Sequence, residues 1–352
     1  MRQADVERTA AALVIWAAAL IVLATTPPTP DVRVVMDTGQ ADSLLAILEK
    51  KNSGEPIHPA DWESLFETAG YQRLAARETA MKRSFTRDQF EKFALSPELA
   101  SRRQDLSSTL ARWKSVDVAA AARKALAYLP PNASIVATVF PVIKPQPNSF
   151  VFNQPAPSIF LAIDPSVTPE QLGNKLAHEL HHIGFASACP PPAASADTEK
   201  LPTAARAAFQ WLSAFGEGFA MLAAAGGPEV HPHAVSNPED RARWDSDMRH
   251  VDRDLEKLDR FFRDILEGRL EGERLNERGF SFFGIQGPWY TVGYRMAVTI
   301  ERASGRDEMI RCFCDARRLP RAYNRALQNL HRGGARWSRR LLKELTAAGT
   351  GS

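Results

Sequence analysis

Two histidines four residues apart, with a glutamate directly after the first, occur at His178-Glu179-Leu180-His181-His182. On a helix, positions i and i+4 share a face, so His178 and His182 stand about 40° apart and can offer both imidazoles to one divalent ion. Glu179 lies about 100° round from His178, close enough to take a proton from a water held at that ion. The pattern is that of a zinc hydrolase. His181 stands about 60° to the other side, so a His178–His181 pair also meets the geometry. The His178–His182 pair is preferred because it leaves Glu179 beside the metal.

The motif has meaning only on a helix, and its flanks supply one. Thr168 can cap, Pro169 suits the first helical position, and Gln171 completes a capping box. Leu172, Leu176, Leu180 and Ile183 form a narrow apolar stripe opposite His178. A catalytic zinc needs a third protein ligand and an open fourth position. After an Ala-, Pro- and Ser-rich connection (Ala186 to Pro202), a second helix is expected over Thr203 to Ala225, with Glu217 near its end. Trp211, Leu212, Phe215, Phe219 and Leu222 project away from Glu217, whereas Ala214, Gly216, Gly218 and Ala220 surround it with little bulk. Such small residues let this helix approach the first closely, and glycines inside a helix otherwise cost stability. The plainer alternative is a solvated glutamate on a frayed helix.

An H-E-x-x-H motif followed by a downstream helical glutamate resembles the gluzincin metallopeptidases. More closely, the chain is similar to a group of uncharacterised bacterial zinc-dependent peptidases. The likeness is carried by Phe160-Leu-Ala-Ile-Asp164, His178 to His182, Gly216-Glu-Gly-Phe-Ala220 and Gly287-Pro-Trp-Tyr-Thr-Val-Gly-Tyr294. It implies an α+β, predominantly helical fold with a zincin-like catalytic core and a small edge sheet beside the motif helix. It further implies Zn²⁺ held by His178, His182 and Glu217, with Glu179 as general base and a peptide or protein as substrate. Gluzincins usually steady the oxyanion with a Tyr or His from a later segment, which makes Tyr294, Tyr290 and His231 the ordered candidates here. Met221 stands four residues beyond Glu217, where the thermolysin pattern has an acid. A partner orienting a ligand histidine must therefore come from elsewhere, or be a backbone carbonyl.

The 352 residues and 44% apolar content support one large domain or two. A net charge of +3 is too slight to indicate a nucleic-acid partner. Arg2 and Arg8 precede an apolar run from Ala10 to Ala24, read as an export signal within residues 1–28, with an uncleaved membrane anchor as the alternative. Export to the periplasm or beyond permits a disulfide, so Cys189 paired with Cys312 or Cys314 competes with buried free thiols.

Residues 29–130 read as a helical N-terminal subdomain, with helices near Asp37–Lys51, Pro59–Thr68, Tyr71–Phe93, Glu98–Trp113 and Val118–Tyr128 after a short strand at Val32–Met36. Residues 131–352 read as the catalytic core with C-terminal helices. Strands are expected at Ser134–Phe140, Ser149–Asn153 and Ser158–Ile163, and Pro155 and Pro157 suit an edge. By resemblance, one of these strands pairs with an extended substrate. A single amphipathic helix is expected over Glu239–Leu266. Its seam suits core packing better than dimerisation, and the oligomeric state is open. Gly272 to Pro288 reads as a loop able to cover a cleft, and Trp289–Ala303 as a further helix. Two rivals keep parts of this reading: a zinc hydrolase of a non-peptide amide or ester, and a catalytically silent exported binding protein with a structural metal.

Overall fold

A computed structural model describes residues 31–146, 148–189 and 200–349. The expected export signal falls in 1–28, outside them. No helix among the described residues is long and apolar enough to cross a membrane.

A small sheet organises the first half of the molecule. Strands β1 (Val32–Met36), β2 (Ile135–Val142), β3 (Phe150–Phe152) and β4 (Ser158–Ala162) lie in the order β1-β2-β4-β3. The β1–β2 and β2–β4 pairs are parallel, and β3 runs antiparallel to β4 as an edge. Parallel pairing needs crossovers and cover on both faces. The crossover from β1 to β2 carries seven helices: α1 (Gly39–Ser53), α2 (Pro59–Phe66), α3 (Ala69–Ala80), α4 (Arg87–Ala94), α5 (Pro97–Ser101), α6 (Arg103–Trp113) and α7 (Val118–Leu126).

One face of the sheet, with Ile135, Ala137, Val139, Ile159 and Leu161, packs among α1, α7 and the motif helix α8 (Pro169–Ala188). On the other face, Phe140, Phe160 and Phe150 stand in register, with ring centres 5.2 and 4.9 Å apart, and Leu74 of α3 joins them. The helices before residue 130 therefore share a buried cluster with the sheet and α8. The parallel strands need these helices as cover.

The second half is helical: α9 (Thr203–Leu212), a 3₁₀ turn (Ser213–Phe215), α10 (Gly216–Ala225), α11 (Pro238–Arg249), α12 (Val251–Leu266), α13 (Gly272–Ser281), α14 (Pro288–Ser304), α15 (Arg306–Cys314), α16 (Leu319–Asn329) and α17 (Arg339–Gly349). Its buried cluster centres on Phe215, Phe219, Phe262, Trp289 and Trp337. The Trp244–Ile265 seam lies in this cluster, packed against α14.

Several expected helices are divided. Tyr71–Phe93 breaks around Lys82 (φ 54°), and Thr86 with Gln89 forms a fresh capping box for α4. Glu98–Trp113 breaks at Arg102, Thr203–Ala225 at the 3₁₀ turn, and Glu239–Leu266 at His250. The stretch expected as a covering loop holds helix α13, whose Leu275 and Gly279 are buried. Cys189, at the end of α8, forms a disulfide with Cys314, at the end of α15, and Cys312 is a buried free thiol.

Candidate metal centre

Helix α8 starts as its sequence dictates. Thr168 Oγ1 accepts from the Gln171 amide, and the Thr168 amide donates to Gln171 Oε1. Leu172, Leu176 and Leu180 are fully buried against the sheet cluster, which turns His178 and His182 toward α10. Glu217, in the first turn of α10, meets them there. Its Oε2 lies 3.2 Å from His178 Nε2 and 3.4 Å from His182 Nε2, and the two Nε2 atoms are 3.1 Å apart.

These separations bear on what the group holds. Zinc bonds of about 2.0–2.1 Å at tetrahedral angles put neighbouring ligand atoms about 3.3 Å from one another. The three observed edges match such a face, and two imidazoles plus one carboxylate leave the fourth corner for solvent or substrate. Burial opposes ionisation of Glu217, but contact with His178 and His182 outweighs it and holds the carboxyl far below its usual range. For His182, burial disfavours the charged form, yet Glu217 raises its pKa overall. The two other histidines considered from the sequence, His181 and His231, point elsewhere. His181 is 1% exposed, with Nε2 3.4 Å from the Tyr128 carbonyl and its ring edge-on to Phe219. Its pairing with His178 is therefore not realised. His231 spends Nε2 on Asp245 at 2.9 Å and accepts from the His233 amide at Nδ1.

Two groups flank these three side chains. Glu179 is half-buried, and its charge acts on both His182 and Tyr290. Tyr290 stacks on His178, with ring centres 6.4 Å apart and planes inclined by 17°. Burial, and after it the neighbouring Glu217 carboxylate, pushes the Tyr290 phenol well up from its usual pKa. Tyr294, the preferred sequence candidate, stands one turn further along α14. Its hydroxyl is 3.5 Å from the Val230 carbonyl, and its ring lies edge-on to Trp244. Burial raises its pKa to about 12. Of the two tyrosines, the structure sets Tyr290 against the ligand group.

The reason is a helix crossing. A Cβ built on Gly218 would meet the Tyr294 amide nitrogen at 2.0 Å and the Tyr290 carbonyl oxygen at 2.4 Å. One on Gly293 would meet the Phe215 carbonyl at 2.5 Å. Two glycines thus let α10 and α14 touch backbone to backbone, and the contact point leaves Tyr290, not Tyr294, over His178. The small residues around Glu217 are expected to allow approach toward α8; Gly218 instead serves approach to α14. Met221 is buried in the helical cluster, so no acid follows Glu217 by one turn.

The fold and site define a class: a mostly helical α+β protein with a His-His-Glu group suited to a divalent metal. Residues 62–331 match the model of the family described as "Putative zinc dependent peptidase (DUF5700)", and the chain belongs to that family. No curated protein and no solved structure matches the chain.

Proposed function

We propose that this protein is an exported zinc-dependent peptidase with a zincin-like core. The observation that carries the reading is the convergence of His178 Nε2, His182 Nε2 and Glu217 Oε2 at tetrahedral-edge distances, with Glu179 and Tyr290 beside them. When bound, zinc supplies Lewis acidity, which makes a water acidic near neutral pH and polarises a carbonyl. Glu179 takes the proton of the attacking water and then delivers it to the departing amine nitrogen as the peptide bond breaks. The Tyr290 phenol, protonated at neutral pH as an ordinary tyrosine is and held more firmly so by burial, donates a hydrogen bond to the carbonyl oxygen as negative charge gathers there. Strand β3, antiparallel at the sheet edge, supports strand addition as the way an extended peptide is held. The Cys189–Cys314 disulfide and the apolar run Ala10–Ala24 behind two arginines support export to an oxidising compartment.

The test is Glu179→Gln in the full chain, assayed with a broad peptide library and a set of acylated small molecules. Zinc content stays at the wild-type level, while peptide cleavage falls by about 10²- to 10⁴-fold. Full activity in the variant would falsify the role of Glu179. Turnover of the acylated compounds alone would move the substrate to a non-peptide amide or ester. No turnover of either set by the zinc-loaded wild type would favour a silent binding protein.

A further inference from the structure

The face of the sheet turned away from α8 holds a second unusual group. Lys144, just beyond β2, is only 8% exposed. Its ammonium donates to the Gln146 carbonyl and to Asn148 Oδ1, and lies 5.4 Å from the centre of the Phe150 ring. Among the described residues, no carboxylate comes within ion-pair distance of it. Glu78 acts on it from further off but is engaged by Arg77 at 2.6 Å and by Arg83 at 3.7 Å. Three cations therefore face one acid. A buried cation without its own counter-ion is expensive, and the strain shows: burial pulls the Lys144 pKa down to about 8.

Lys144 also borders open space. A cavity of 480 Å³ has Lys144, Arg83 and Glu78 on its polar side and Leu74, Phe85 and Phe90 among its apolar walls. That volume, with a few polar groups set in an apolar lining, is characteristic of small-molecule sites. The charge surplus suits one negative group. A phosphate dianion would have to face Glu78 across a cavity whose arginine, Arg83, already lies 3.7 Å from that acid, whereas a single carboxylate needs only the ammonium. His178 and His182 stand on α8, on the opposite face of the sheet, and Glu217 stands on α10 beyond it, so this cavity is separate from their group.

We propose that this cavity binds a small amphipathic carboxylate, its head paired with Lys144 and its apolar body lying against Leu74, Phe85 and Phe90. The proposal is independent of the peptidase reading. The experiment titrates the full-length, zinc-loaded protein with straight-chain C4–C10 carboxylates and phenylalkanoates, each beside its primary amide, by calorimetry and thermal shift. At least one acid saturates at millimolar concentration or below, and its amide binds at least tenfold more weakly. Lys144→Met abolishes that binding and raises the Tm of the ligand-free protein. Arg83→Gln, at an exposed position, weakens the acid several-fold and tests the idea should the lysine variant not fold. Absence of binding by every acid, equal binding of acid and amide, or undiminished binding to Lys144→Met or, if that variant does not fold, to Arg83→Gln would overturn it.

Discussion

Tyr290 and Tyr294 share one face of one helix, yet only the first lies on His178. Tyr290→Phe removes the hydroxyl beside Glu217 and keeps the ring on His178, so kcat should fall by about 10²-fold with zinc content unchanged. Tyr294→Phe removes only a long contact to the Val230 carbonyl and should leave kcat near the wild-type value. Steady-state cleavage by the two variants side by side decides the matter; equal losses would sink the assignment to Tyr290. At this scale much of the site was legible. The Thr168–Gln171 cap, the leucine stripe and the His178–His182 spacing are local, and periodicity reports local geometry well. The choice between two tyrosines one turn apart is not local. It depends on where α14 crosses α10, of which Gly218 and Gly293 are the traces in the sequence, and neither names its partner helix.

Among elements, the glycine crossing makes the sharpest claim. Gly218→Ala would drive a methyl group into the α14 backbone, where nothing flexible can yield, and should destabilise the protein by about 3 kcal/mol or more. Gly216, two residues earlier, has φ −53° and open space where a methyl group would stand. Gly216→Ala should therefore be neutral or stabilising, by up to about 1 kcal/mol. Urea denaturation of the two variants separates these outcomes; similar midpoints would mean that α10 and α14 do not touch backbone to backbone. Element types were largely readable from the chain, but breaks were not. Amphipathic periodicity runs straight through Lys82, Arg102 and His250, where the helices bend to wrap a core that no local window contains. Helix α13 was hidden by its glycines, and its packing against Trp211 is a tertiary fact.

For the molecule as a whole, the informative division is between the buried cluster around the sheet and the one around Trp289. A boundary near residue 130 follows the change from helices to strands along the chain, but a parallel sheet recruits the helices that precede it. The Cys189–Cys314 link ties α8 of the first cluster to α15 of the second across 125 residues of chain. Replacing both cysteines by serine should lower stability by about 2–4 kcal/mol. Calorimetry of the oxidised protein and the double variant checks this, and coincident melting curves would refute it. His178 and His182 belong to one of these bodies, whereas Glu217 and Tyr290 belong to the other. Affinity for the ion is then a gauge of how firmly the halves are seated. A lesion anywhere along their joint, at Phe219 or Ala224 for instance, would announce itself as leakage of zinc before any change appeared in the ligands themselves.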